Sequence, residues 1–217
     1  MDINNEEKKS KKMERMEDIR YELGAVMRGE IMPPKTIRFF SDIERKDLGE
    51  EAVKILLDDT LKKILEVEVE SGKKVGNVGH FGFHAANRYL AEFGKQGVTD
   101  RNYHVLAQGL IKLNAIYDEL DENYQQAEEL YNALDMTDKA SEMKSKFESL
   151  PEKPWSISDI MEEKRKNGTL EEHIQEFELG TKKAIKDFQA EFSSFPLMSN
   201  EERTQIAENI KKRLESE

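Results

Sequence analysis

The sequence predicts an all-α protein, an irregular bundle of about seven or eight helices built from antiparallel hairpins. Apolar residues recur at intervals of three and four along most of the chain, which is the period of an amphipathic helix. Only 12 Gly and 5 Pro occur among 217 residues, and charged residues make up 36% of the chain against 37% hydrophobic ones. This composition favours a helical protein over a β-sandwich or a barrel.

The prolines divide the chain into three predicted regions. They stand at positions 33 and 34, at 151 and 154, and at 196, and proline interrupts helices because it lacks the amide donor and clashes with the preceding turn. Residues 1–40 are predicted to form an N-terminal helix and an extended proline-containing linker, residues 41–150 a helical-hairpin body, and residues 151–217 C-terminal helices that dock on the body. The N-terminal helix is indicated by one apolar stripe: Met13, Met16, Ile19, Leu23, Val26 and Met27.

The body begins with a long predicted helix. Ser41 and Glu44 form a capping-box pattern, and a strong helical stripe follows from Leu48 to Leu65. We expect this helix to continue to residue 70. The segment 65–70 alternates apolar and acidic residues with a period of two, so an α+β alternative with a small hairpin around 64–83 stays open.

Four more helices are predicted in the rest of the body. The first follows a glycine-rich stretch, begins near Asn77 and ends at Gly94. Three further stripes lie between Leu106 and Leu150, and the linkers of two to five residues between them predict helices that fold back antiparallel.

The C-terminal region carries three predicted helix starts and one conspicuous apolar face. A stripe from Leu170 to Phe192 keeps helical spacing, and three phenylalanines lie on it. A helix with such a face cannot remain solvated, so it must dock on the body or on another chain. The helix starts are indicated by the capping pairs Ser156 with Asp159, Thr169 with Glu172, and Ser199 with Glu202.

Composition excludes several classes of protein. No Cys occurs, which excludes disulfide scaffolds, thiolate metal sites and cysteine nucleophiles. The first twenty residues lack the apolar stretch of a secretory signal, and no later run approaches the roughly 20 apolar residues that span a bilayer. We therefore expect a soluble, cytoplasmic protein without a membrane partner.

The charge balance disfavours nucleic acid as the main partner. Lys and Arg total 34 against 45 Asp and Glu, which gives a formal net charge of -11 and a pI near 5.1. An RNA- or ribosome-associated factor remains a second alternative, because a basic cluster near the N-terminus could bind an anionic surface: Lys8, Lys9, Lys11 and Lys12.

A metal-dependent enzyme is the first alternative to a binding protein. His80 and His84 are four residues apart, and two imidazoles at this spacing on a helix can bind one metal ion. The HExxH signature is absent because Phe81 follows His80, and a catalytic zinc needs a third protein ligand. GxSxG, GxGxxG and GxxxxGK[ST] patterns are also absent, so no cofactor and no catalytic residue are predicted.

The function predicted from the sequence is binding to another protein or to a second copy of this chain. Such a protein would serve as an adaptor, an assembly factor or a subunit of a complex, without catalysis. Residues 118–129 contain six acidic residues and no Lys or Arg, which suits contact with a basic surface. The candidate contact residues are Asp118, Glu119, Asp121, Glu122, Phe177, Phe188 and Phe192.

Overall fold

The computed structural model describes residues 49–69, 80–93, 101–150 and 157–215. Within these ranges the chain forms eight α-helices and no β-strand, which confirms the predicted all-α fold. The predicted N-terminal helix, the proline linker, and the capping pairs that involve Ser41 and Ser156 lie outside the described residues.

The eight helices are spread over the described residues, and those from Arg101 onward are joined by short connections. A π-helical turn, Tyr89–Phe93, directly follows the second helix. None of the described helices has the length and apolar content needed to cross a bilayer. The helices are α1 (Gly49–Leu65), α2 (His80–Arg88), α3 (Arg101–Leu120), α4 (Tyr124–Ala133), α5 (Thr137–Ser149), α6 (Ile157–Asn167), α7 (Leu170–Phe192) and α8 (Asn200–Glu215).

Helix α1 ends earlier than the sequence predicted, at Leu65 rather than at residue 70. The side-chain amide of Gln189 on α7 donates to the carbonyl oxygens of Ile64 and Val67 at 2.7 and 3.0 Å. Carbonyls at a helix end need such partners because no later helical amide reaches them. Residues 66–69 are neither helix nor strand, residues 80–83 are helical, and the rest of the alternative hairpin, residues 70–79, lies outside the described residues.

Helices α3, α4 and α5 fold back on one another through two tight turns. Each turn has three residues, 121–123 and 134–136, and helices this closely joined become antiparallel neighbours. Glu122 and Asp135 adopt the left-handed conformation, with φ of 60° and 57°, which reverses the chain direction. The hairpins predicted between Leu106 and Leu150 are thus present.

Helix α3 lies at the centre of the described structure, where α1, α2, α4 and α7 pack against it. Helix α7 runs antiparallel to α3: Phe192 at its end packs over Gly109, and Gly180 packs under Leu120. A Cβ built on Gly109 would lie 2.6 Å from two ring carbons of Phe192. Glycine at this position therefore lets the ring approach the α3 backbone.

Helix α8 returns to α1 and begins with the predicted capping box. The backbone N–H of Ser199 donates to Glu202 Oε2 at 2.8 Å, and the backbone N–H of Glu202 donates to Ser199 Oγ at 3.2 Å. Helix α7 also begins where the pair Thr169 and Glu172 predicted, after Thr169, but the Thr169 side chain makes no cap hydrogen bond. Ser199 therefore caps its helix through its side chain, whereas Thr169 does not.

Candidate functional site

The four acidic residues predicted to contact a partner lie together where α3 joins α4. Asp118 and Glu119 are in the last turn of α3, and Asp121 and Glu122 follow it. We call these four residues and Asn123 the acidic turn. The backbone N–H of Asn123 closes it by donating to the carbonyl oxygen of Asp118 at 2.8 Å. A left-handed backbone at a glutamate costs on the order of 1 kcal/mol, so contacts of the turn must offset that cost.

Glu119 connects α3 to α4 and α5. Its Oε2 accepts a hydrogen bond from the Tyr131 hydroxyl at 2.8 Å, and its Oε1 lies 3.3 and 3.4 Å from the Nζ atoms of Lys139 and Lys146. Glu142 pairs with the same two lysines at 3.1 and 2.8 Å. Two carboxylates and two ammonium groups thus balance one another beside the acidic turn.

Glu122 connects the acidic turn to α6 and α7. Its Oε1 accepts a hydrogen bond from Lys164 Nζ at 2.7 Å. The same oxygen lies 3.8 Å from Nδ1 of His173, which is 4% exposed. One carboxylate therefore contacts both α6 and α7.

The acidic turn has most of its partners within this chain. Asp118 is buried and accepts a hydrogen bond from the Asn123 side-chain amide at 3.0 Å. Glu119 and Glu122 are paired with lysines, and Asp121 is half-buried in the same turn. The structure brings the four predicted residues together, and Glu119 and Glu122 connect the end of α3 to the four helices that follow it, α4 to α7.

Because two buried tyrosines have raised pKa values, we expect the protein to lose stability at alkaline pH. Burial raises the pKa of Tyr117 from 10.0 to about 12, and burial with the hydrogen bond to Glu119 raises the pKa of Tyr131. The folded state therefore holds these phenol protons more tightly than the unfolded chain does. The resulting stability is complete below pH 10 and is lost as the pH rises towards about 12. We expect the free energy of unfolding by urea to fall over this interval, by about 2 kcal/mol through Tyr117 alone.

The double variant Tyr117→Phe/Tyr131→Phe tests the cause of this alkaline loss. Phenylalanine keeps each ring and removes the titrating hydroxyl, so the free energy of unfolding should depend less on pH in the variant. Circular dichroism during urea titrations at several alkaline pH values measures the difference. An identical pH dependence in the variant and the wild type would assign the loss to other groups.

The phenylalanines of α7 face this chain's own body. Phe188 and Phe192 are 5% and 4% exposed, and their ring centroids lie 4.6 Å apart, with Phe192 over Gly109. Phe177 is half-buried, and its ring centroid lies 6.2 Å from that of Tyr117. The sequence left open whether the phenylalanine face of α7 docks on the body or on another chain, and in the structure it docks on the body. Phe192 is therefore covered, whereas Phe188 also lines the groove described next.

An apolar groove lies between α3 and α7 and has a volume of about 210 Å³. Leu113, Ala184 and Phe188 are buried and form its floor. We call it the α3/α7 groove. The full lining comprises Gly109, Lys112, Leu113 and Ile116 of α3 with Ala184, Asp187, Phe188 and Glu191 of α7.

The two rims of the α3/α7 groove carry opposite charges. Lys112 is exposed on the α3 rim, and Asp187 and Glu191 are exposed on the α7 rim. In the antiparallel register of the two helices, Lys112 lies opposite Asp187. None of the three makes an ion pair or a hydrogen bond within 49–69, 80–93, 101–150 and 157–215. The groove therefore combines an apolar floor with charges that the described structure does not neutralise.

The α3/α7 groove was not predicted from the sequence. Val105, Gly109 and Ile116 form a second, shorter stripe on α3 beside the main leucine stripe, and Val105 is 41% exposed. This stripe is visible in the sequence. Its meaning depends on which residues of α7 lie beside it, and the sequence pattern of one helix does not contain that information.

A buried polar cluster joins α8 to α1 and α3. Arg203 Nη2 donates to Asp59 Oδ1 at 2.6 Å, and both side chains are buried. Asp58 accepts hydrogen bonds from the Tyr103 hydroxyl at 2.8 Å and from the backbone N–H of Met198 at 2.7 Å. Burial raises the pKa of Asp58, although these two hydrogen bonds and the charge of Arg203 oppose the rise. The cluster thus joins α1, α3 and α8, whose contacting residues are 45 to 144 positions apart in the sequence.

The metal and RNA alternatives depend on groups that are not among the described side chains. His80 and His84 lie in α2, but only their backbone is described, and the lysines at positions 8–12 are outside the described ranges. Among the described side chains, no three His, Asp or Glu residues come together to hold a metal ion. Metal binding by His80 and His84 stays a prediction.

Comparison of the chain with protein-family models, curated proteins and solved structures found no match. Of the features above, the acidic turn has most of its contacts inside the chain, and so does the buried cluster of Asp58, Asp59 and Arg203. The α3/α7 groove instead opens to solvent between charged rims, above a buried apolar floor.

Proposed function

We propose that this protein acts by binding another protein, and that the α3/α7 groove receives the apolar face of a partner helix. The observation that supports the proposal is the apolar floor, which lies between two helices and below charged rims. A helix laid against two antiparallel neighbours is a common mode of peptide recognition, in which residues at helical spacing enter one groove. The chain would then serve as an adaptor, an assembly factor or a subunit of a complex.

The size of the α3/α7 groove favours side chains of a partner over a small molecule. Its volume of about 210 Å³ is below the roughly 300–1,000 Å³ that is typical of small-molecule pockets. About two apolar side chains of a partner would contribute roughly 3–6 kcal/mol of hydrophobic free energy before the cost of association. Further contact along the rims would add to this.

Two features extend the proposed surface along α3. Val105, 41% exposed, precedes the groove on the same helix, and the acidic turn follows Ile116. A partner helix along the groove would reach the acidic turn, where the side chains of Glu119 and Glu122 are 20% and 32% exposed. The net charge of -11 would draw basic partners to this surface.

The variant Ile116→Glu tests the proposal because it places a carboxylate among the apolar residues of the α3/α7 groove. We expect the tagged full chain with this change to capture its partner from a lysate of the source cells at least 10-fold less than the wild type, a loss of about 1.4 kcal/mol or more. Quantitative mass spectrometry of the captured proteins measures the difference.

Leu179→Glu is the matched control for this experiment. Leu179 is 71% exposed on α7 and does not line the groove, so the same new charge there should leave capture unchanged. Both variants are compared by circular dichroism and thermal melting to establish that they are folded. If a folded Ile116→Glu protein captures the same proteins as the wild type in equal yield, the groove is not the binding surface.

A further inference from the structure

We infer that the partner helix carries basic residues on the flank that faces α7 and an acidic residue on the flank that faces α3. This inference rests on the proposed function, because it specifies the chemistry of the helix that occupies the α3/α7 groove. It follows from the two rims, which carry charges of opposite sign beside one apolar floor.

The two acidic side chains on the α7 rim repel each other, and a basic partner would reduce this repulsion. Asp187 and Glu191 are four residues apart, so they are neighbours on one face of α7, and like charges at this spacing repel. Charges of opposite sign at this spacing can pair within one helix, as Lys54 does with Glu50 at 3.0 Å. Basic side chains on the occupant of the groove would neutralise both acids.

The α3 rim requires the opposite charge. Lys112 is the charged side chain that α3 contributes to the groove lining, and it forms no ion pair with Asp187 of the α7 rim. A helix between them meets a cation on one side and two anions on the other. The complementary helix therefore has an acidic side chain towards Lys112 and is held in one rotational orientation.

The spacing of the two acids defines a motif in the partner. Residues four apart on a helix are separated by about 6 Å along its axis. A partner helix nearly parallel to α7 matches this spacing with basic residues at positions i and i+4, next to the apolar residues that enter the groove. Because the three rim charges are exposed, this part of the affinity should weaken with salt.

Selection from a displayed peptide library tests the inference. Helical peptides of about 18 residues, long enough to hold helical structure, carry a constant apolar face and randomised flanks, and they are selected on the immobilised full-length chain. We expect Lys or Arg to be enriched at i and i+4 on one flank and Asp or Glu on the other. The reversed-rim variant Asp187→Lys/Glu191→Lys should bind the selected peptides at least 10-fold more weakly and should itself select acidic residues on the first flank.

The outcomes separate this inference from the proposed function. Peptides that lose binding to Ile116→Glu but show no charge preference, or that bind the reversed-rim variant equally well, would overturn the inference and leave the proposed function standing. Absence of any selected peptide that is sensitive to Ile116→Glu would overturn both.

Two further results would identify a different occupant of the groove. If the full chain self-associates in sedimentation velocity and Ile116→Glu abolishes this association, the occupant is a second copy of the chain. Peptide binding only after removal of residues 1–48 would make that segment the occupant, and either result would overturn the inference.

Discussion

Replacing Arg203 with methionine is expected to lower the free energy of unfolding by about 3–5 kcal/mol. Arg203 is 7% exposed, and its Nη2 lies 2.6 Å from Oδ1 of Asp59, which is 4% exposed. Methionine retains most of the apolar stem but removes the charge, so the Asp59 carboxylate loses its closest counter-ion inside the protein. The charge of Arg203 also favours the ionised form of Asp58, so that carboxyl loses support as well. Guanidinium titration followed by circular dichroism measures the loss.

The double variant Arg203→Met/Asp59→Asn is the control for this prediction. Asparagine removes the carboxylate that the single change leaves without its arginine, so the double variant should recover most of the stability lost by Arg203→Met. A loss below about 1 kcal/mol in the single variant would show that the pair does not hold α8 to α1. A double variant no more stable than the single one would show that lost packing, and not the unpaired buried carboxylate of Asp59, causes the effect.

Replacing Phe192 with alanine is expected to cost about 3–5 kcal/mol. The ring is 4% exposed, packs over the α3 backbone at Gly109 and lies 4.6 Å, centroid to centroid, from Phe188. Alanine leaves a cavity between α3 and α7 that the facing glycine cannot fill. The free energy of unfolding from guanidinium titration gives the effect.

Leu179→Ala is the matched control on the same helix. Leu179 is 71% exposed, so its truncation should change the free energy of unfolding by less than about 0.5 kcal/mol. If α7 docks on its own chain, the two variants must differ by several kcal/mol in their free energy of unfolding, about 3 kcal/mol or more. Equal losses in the two variants would mean that α7 does not dock through its phenylalanine face.

Local periodicity predicted most of the helices. The stripe of α7 matches the observed helix Leu170–Phe192, and the stripes between Leu106 and Leu150 lie in α3, α4 and α5. An amphipathic period is a property of neighbouring residues, so it can be read without knowing what the apolar face covers. The same holds for the capping box at the start of α8, whose two partners are three residues apart.

Helix ends were harder to predict because distant residues determine some of them. The amide of Gln189 that caps Ile64 comes from 125 residues away. The alternating pattern after Leu65 gave no indication of this contact and suggested either more helix or a strand. Likewise, the cap at Thr169 depends on a side-chain geometry that the residue types alone do not determine.

The sequence showed which candidate residues lie together but not what they contact. Composition located the acidic turn correctly, but the lysines that pair with Glu119 and Glu122 lie 20 to 42 residues further along the chain, so the pairing could not be seen. The α3/α7 groove was missed because it exists only in the register of two helices that are far apart in sequence. A count of charges likewise does not show that Lys112 and Asp187 lie on opposite rims.

Photo-cross-linking from inside the groove tests the central claim most directly. A benzophenone amino acid replaces Lys112 on the rim of the α3/α7 groove or, as the matched control, Leu179 on the outer face of α7, and each full-length protein is irradiated in a lysate of its source cells. We expect a covalent adduct with a partner protein from position 112 and none from position 179. An adduct from position 179 with none from position 112, or no adduct from either, would contradict partner binding in the groove.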